Sequence, residues 1–98
     1  MEKLTYRDAL KRALTDAMRE DDDIFVIGEE VGRYGGAYGV TKGMIDEFGA
    51  ERLLDTPISE AGIVGAAVGA ALMGLRPIAD VQYADFLFCA MDQIANQM

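Results

Sequence analysis

Between residues 4 and 20 the apolar positions follow the i, i+3, i+4 spacing of an amphipathic helix: Tyr6, Leu10, Ala13, Leu14, Ala17 and Met18. Thr5 stands where an N-cap belongs, with Asp8 three residues on in a weakened capping box. The run Glu20-Asp21-Asp22-Asp23 breaks the pattern and reads as a solvated turn. Ile24-Phe25-Val26-Ile27 is then continuously apolar between acids and a glycine, which predicts a strand buried on both faces in a parallel sheet. Four glycines in the eight residues 32–39 predict a sharply bending loop. Residues 41–48 predict a short helix, with Thr41 as its cap and Gly49 as its stop.

Arg52-Leu53-Leu54-Asp55 predicts a second strand, and residues 56–60 a connector. Residues 61–73 are small and apolar. Gly62, Ala66, Ala70 and Gly74 form one row of a helix, and Ala61, Gly65, Gly69 and Met73 the next. Each glycine weakens an isolated helix by about 1 kcal/mol relative to alanine. Tight packing must hold this one, against either the sheet or another subunit. Gly74 ends it and Pro77 prevents its continuation. Residues 78–81 predict a third strand. Asp85 is placed to cap a last helix with Leu87, Ala90, Met91, Ile94 and Met98 as its stripe. Alternation of helix and strand throughout predicts an α/β fold, a mostly parallel sheet with flanking helices.

The length of 98 residues limits the chain to one domain. Surface scaling gives a folded area of about 5,500 Å², burying about 64% of the unfolded surface. Hydrophobic residues at 51% and charged residues at 27% are a globular composition. The formal net charge of −8 repels phosphate backbones and anionic bilayers, so nucleic acid and membrane are not expected partners. There is no His, so this chain supplies no His base, triad or metal ligand. The one cysteine, Cys89, precludes an internal disulfide and is expected to be a small buried hydrophobe. The N-terminus has no signal or transit character, and the longest uncharged run is shorter than the roughly 20 residues of a bilayer span. A cytoplasmic location is expected.

Candidate chemistry lies where ligands bind in open α/β sheets, beyond the carboxyl ends of the strands. Three segments qualify: Gly28-Glu29-Glu30, residues 56–60, and residues 82–86. The first two offer carboxylates, and the third the aromatics Tyr83 and Phe86. No phosphate-binding glycine motif opens a helix after a strand. Glu60 reads on bare statistics as a first-turn acid favoured by the helix dipole. Its sharper reading is a partly buried carboxyl with a raised pKa, able to hydrogen-bond a cofactor.

The run Asp55-Thr56-Pro57-Ile58-Ser59-Glu60 is followed by Gly62, Gly65-Ala66-Ala67-Val68-Gly69 and Gly74-Leu75-Arg76-Pro77. Together with Gly28-Glu29-Glu30-Val31, Gly35-Gly36-Ala37-Tyr38 and Asp92-Gln93-Ile94 it resembles, in collinear order, the beta subunits of thiamine-diphosphate-dependent 2-oxo acid dehydrogenases. The resemblance implies a transketolase-type pyrimidine-binding domain, of which residues 1–98 are the N-terminal part. It implies oxidative decarboxylation of pyruvate or a branched-chain 2-oxo acid, with acyl transfer to a lipoyl group. Glu60 would be the catalytic carboxyl that hydrogen-bonds the aminopyrimidine ring of the cofactor. Glu29, Ile58, Ser59, Gln82 and Phe86 would be the other cofactor-side residues. The diphosphate and its Mg²⁺ would be held by an alpha subunit, with no metal ligand in this chain. Further implied partners are a second beta subunit, completing a heterotetramer, and the lipoyl-bearing acyltransferase. Family members carry a second domain and a downstream active-site His, neither of which is among these residues, so a fragment inactive by itself is expected. Acetoin dehydrogenase beta subunits share most of the motifs, and a non-catalytic assembly module is the reading from another class.

Overall fold

The computed structural model describes residues 3–98. The elements are α1 (Tyr6–Glu20), β1 (Ile24–Gly28), α2 (Met44–Phe48), β2 (Leu53–Asp55), α3 (Glu60–Leu72) and β3 (Arg76–Asp80). A 3₁₀ segment over Ala84–Ala90 and a wider π-type turn over Gln93–Gln97 follow. The three strands are parallel, in the order β2-β1-β3. α3 therefore carries the chain from one edge of the sheet, across β1, to the other edge.

The continuous apolar run of β1 is explained by its two neighbours. Val26 packs with Met18, Val31, Met44 and Leu53 on the face of the sheet that carries α1 and α2. Ile27 packs with Ile63 and Ala67 of α3 on the opposite face. Successive side chains of a strand point to opposite faces, so a central strand covered on both must be apolar at every position. At its end the strand runs into β3. A Cβ at Gly28 would meet the Asp80 carbonyl oxygen at 2.5 Å, so only glycine lets the two strand ends close.

α1 begins as expected. The Thr5 hydroxyl accepts a hydrogen bond from the Asp8 amide at 3.1 Å. Only the C-terminal half of the apolar stripe is used, however. Met18 is fully buried and Leu14 packs beside it, while Tyr6 and Leu10 are exposed. Four other expectations are corrected. Thr41 does not cap α2. Its hydroxyl donates to the Val31 carbonyl at 2.7 Å inside the core, tying the two ends of the glycine-rich loop, and α2 starts later with Gly43 as a cap that offers no side-chain bond. Gly49 does end α2, at φ 86. Asp85 is not a cap either: Tyr83 occupies that position, and a single α-helix is replaced by the 3₁₀ segment and π-type turn. The C-terminal segment lies along α3, where Gln93 Cγ comes within 3.6 Å of where a Gly65 Cβ would be. Packing against small residues thus competes with ideal helix geometry. Cys89 is exposed, because the buried position of that segment falls on Ala90. β3 starts at Arg76 and includes Pro77. As an edge strand it tolerates proline, since the Arg76 amide faces β1 and the next nitrogen faces away. Among the described residues, no helix is long and apolar enough to cross a membrane.

Candidate functional site

The carboxyl ends of the three strands come together at one end of the sheet. Register fixes this: Gly28 pairs with Asp55 on one side and with Asp80 on the other. Directly beyond these partners lie Glu29, Thr56 and Val81. Glu30 takes a left-handed conformation, φ 57, which turns the chain away from the sheet immediately after Glu29. That turn is braced from β2. The Gly32 amide donates to Asp55 Oδ1 at 2.7 Å, and a Cβ at Gly32 would stand 2.6 Å from Asp55 Oδ2.

α3 starts at this same end. Ser59 caps it, its hydroxyl accepting from the Gly62 amide at 3.3 Å, and Glu60 is the first helical residue. The Glu60 carboxyl comes within interaction distance of Glu29 across the strand ends. Glu29 is half-buried, and its Oε1 is enclosed without any hydrogen-bond partner. Burial pushes its carboxyl above the ordinary range. The neighbouring Glu60 adds to that rise, with Asp80 and Glu30 behind it. Glu29 is raised because it sits where three strand ends close around it.

From the third strand end, Gln82 Nε2 donates to the Glu29 carbonyl at 3.1 Å. Gln82 also hydrogen-bonds the Asp80 carboxyl, partly offsetting the rise that burial imposes there. Three expected site residues, Glu29, Glu60 and Gln82, are thus brought together. Ser59 adjoins them with its hydroxyl committed to the helix cap. Ile58 stands on the connector beside Ser59, 81% exposed, a large apolar side chain with nothing covering it. Phe86 sits on the 3₁₀ segment, also exposed, with its amide bonded to the Tyr83 carbonyl. The Tyr83 ring meets Tyr38 of the glycine-rich loop at 6.0 Å between centroids, so the loop folds back over the β3 end.

Asp80 was missed in the sequence, and Thr56 lay in a candidate segment without being singled out. Asp80 stands at the end of a predicted strand, but its proximity to Glu29 depends on pairing between residues far apart in the chain. Thr56 Oγ1 is enclosed and without a hydrogen-bond partner, like Glu29 Oε1. Only its position after a strand could have pointed to it.

The family model described as "Transketolase, pyrimidine binding domain" matches residues 2–98. The chain belongs to this family. As a transketolase-type pyrimidine-binding domain it has several close relatives. It is 51% identical over 96 residues to a protein named pyruvate dehydrogenase E1 component subunit beta from Rhizobium meliloti, covering 98% of this chain and 21% of that protein. It is 44% identical over 97 residues to the 2-oxoisovalerate dehydrogenase subunit beta of Bacillus subtilis, covering 99% of this chain and 30% of that protein. The mitochondrial pyruvate dehydrogenase E1 component subunit beta of Saccharomyces cerevisiae is 50% identical over 93 residues, covering 95% and 25%. The chain thus spans between a fifth and a third of the length of these relatives. Among the described residues, no group of three or more acidic or thiol side chains is arranged to hold a metal ion.

Proposed function

We propose that this pyrimidine-binding domain is the N-terminal part of the beta subunit of a thiamine-diphosphate-dependent 2-oxo acid dehydrogenase, with Glu60 as the carboxyl that meets the cofactor's aminopyrimidine. The observation that carries the reading is the Glu29–Glu60 carboxyl pair at the strand ends, one oxygen of which is enclosed and unpartnered. The residues fit the group. An aminopyrimidine presents ring nitrogens and an amino group, which suit carboxyl and amide partners. Its flat apolar faces suit Ile58 and Phe86, large hydrophobes that stand exposed at this end.

When bound, thiamine diphosphate supplies the electron sink that decarboxylation of a 2-oxo acid requires. The chain's own part is to hold and move a proton. Burial first, and the facing Glu60 next, raise the Glu29 carboxyl, so Glu29 holds its proton to higher pH than a free carboxyl does. Glu60, at the helix start, is the member of the pair that shares a proton with a ring nitrogen. Gln82 fixes the Glu29 main chain and thereby the spacing of the pair. Ile58 and Phe86 exclude water from the ring faces. Ser59 serves by fixing the first turn of α3 and so the direction of Glu60.

As the family resemblance implies, the diphosphate and Mg²⁺ are assigned to an alpha subunit, and the lack of a phosphate-binding glycine motif opening a helix in these residues agrees with that. A second beta subunit and a lipoyl-bearing acyltransferase complete the proposed assembly. The names of the relatives support pyruvate or 2-oxoisovalerate as substrate. Glu60→Gln in the assembled alpha/beta complex should lower decarboxylation of these substrates at least about tenfold, a loss of about 1.4 kcal/mol in transition-state stabilisation. Activity within about twofold of wild type would remove Glu60 from the reaction. Assaying acetoin beside pyruvate and 2-oxoisovalerate distinguishes cleavage of a hydroxyketone from that of a 2-oxo acid.

A further inference from the structure

Two buried polar atoms lie at adjacent strand ends without a protein partner: Glu29 Oε1 after β1 and Thr56 Oγ1 after β2. Buried polar side-chain atoms are nearly always hydrogen-bonded, and leaving one unpaired costs more than a typical bond contributes. Two orphans in one place call for one explanation. The strand register supplies it. Gly28 pairs with Asp55, and the ladder continues one step further, with the Thr56 amide donating to the Gly28 carbonyl at 2.9 Å. Positions 29 and 56 are thus the next neighbours across the two strands, on the same face, about 4.8 Å apart. The two side-chain oxygens do not hydrogen-bond each other. The arrangement suits one small bridging molecule with both a donor and an acceptor.

We propose that Thr56 is a positioning residue for Glu29, acting through a single ordered water that accepts the Thr56 hydroxyl proton and donates to the Glu29 carboxylate. A hydroxyl can donate in only one direction at a time, and Glu29 presents the acceptor. The water would have at least two polar partners in a polar setting, which is what a structural water needs. Other groups facing Glu29 are Glu60 from α3, Asp80 from β3 and Glu30 in its own turn, all acids, together with the neutral Gln82 beyond β3. Glu60 shares a side-chain hydrogen bond with the Glu29 carboxyl, and the Thr56 bridge supplies a partner to the Glu29 oxygen that this bond leaves unpaired. The functional meaning of the bridge rests on the cofactor reading above: it would hold one carboxyl of the pair in place while Glu60 meets the ring. Its physical test does not.

Titration of the Glu29 side-chain carboxyl by carbon NMR in the full chain, without cofactor, is that test. Donation to the carboxylate favours its ionised form. Thr56→Val, which keeps the shape and removes the hydroxyl, should raise the Glu29 midpoint by about half to one pH unit. Thr56→Ser should return it to within about 0.2 unit of wild type. In the wild type, a bound water should also show magnetisation transfer to the Thr56 methyl protons, and the methyl groups that Thr56→Val introduces should show none. A midpoint unchanged or lowered in Thr56→Val, or no water contact at the Thr56 methyl, overturns the proposal. If the bridge fails this test while Glu60→Gln still abolishes decarboxylation, the cofactor reading stands alone. If the bridge holds and Glu60→Gln is active, it is the cofactor reading that falls.

Discussion

At Glu29 several effects act in the same direction. Burial raises its carboxyl first, the facing Glu60 next, and Asp80 and Glu30 add to it. The consequence for folding has a definite sign. A carboxyl raised in the folded state favours the folded state while it is protonated. That contribution is complete below the ordinary value of 4.5 and is lost as pH rises through the raised one. Asp80, also raised by burial, acts in the same sense. Glu47 acts in the opposite one, because Arg19 bonds it at 2.6 and 2.7 Å and lowers it. A single melting curve mixes these terms, so a difference between variants is the informative quantity. Glu29→Gln is permanently neutral. Its melting temperature should match wild type near pH 4 and exceed it progressively toward pH 7, as the wild-type carboxyl ionises. Parallel curves across that range would mean that Glu29 keeps an ordinary pKa. The same property serves the proposed chemistry, since a carboxyl that ionises reluctantly is better able to hold a proton beside the cofactor.

At the scale of elements, β2 is only three residues long, and its anchoring falls on the residue before it. The Arg52 guanidinium donates to the carbonyls of Met18, Asp21 and Ile24 at 2.7, 2.8 and 3.0 Å, and lies 5.0 Å from the Phe48 ring centroid. It closes the C-terminal end of α1, where carbonyls lack helical partners and the dipole favours a cation. It joins that end to β1, α2 and β2 at once. Arg52→Ala should lower stability by about 2 kcal/mol in denaturant titrations. Arg52→Lys should recover less than about half of that, because one ammonium cannot reach the same set of carbonyls. Full recovery by lysine would reduce Arg52 to a point charge. The role was invisible in the sequence, where Arg52 reads as the first residue of a strand. Elements whose cause is local were legible: the apolar run of β1, the Thr5 cap, the Gly49 stop and the small-residue helix α3. Thr41 was misassigned because a buried long-range bond to Val31 outcompeted a cap. The same limit holds at the site. Glu29, Glu60 and Gln82 were recognisable as strand-end residues. Their approach to one another follows from strand register, and the isolation of Thr56 Oγ1 from packing, and neither leaves a local trace.

For the whole molecule, the accessible surface is 6585 Å², against about 5,500 Å² for a closed domain of this mass. The excess is not spread evenly. Both β2 and β3 are edge strands, and apolar surface stays open between β3 and α3. A groove of about 810 Å³ opens there, lined by Val68 and Ala71 of α3, Leu75, Pro77 and Ala79 near β3, and Ile94 of the C-terminal segment. Leu72, Met73, Phe88 and Met98 are also largely exposed. A contiguous apolar surface of this kind is unusual on a monomeric protein and should be measurable as such. An apolar fluorescent dye such as anilinonaphthalene sulfonate should brighten on binding the folded chain. Ala71→Glu places a charge in the groove at an exposed helix position, so the fold should persist by far-UV circular dichroism while dye emission falls by about half or more. Ala13→Glu, on the exposed face of α1, puts the same charge on the other side of the sheet and should leave emission unchanged. If both variants quench equally, the effect is one of net charge repelling an anionic dye from an already acidic chain. If only Ala71→Glu does so, the groove is the apolar surface that accounts for the excess area.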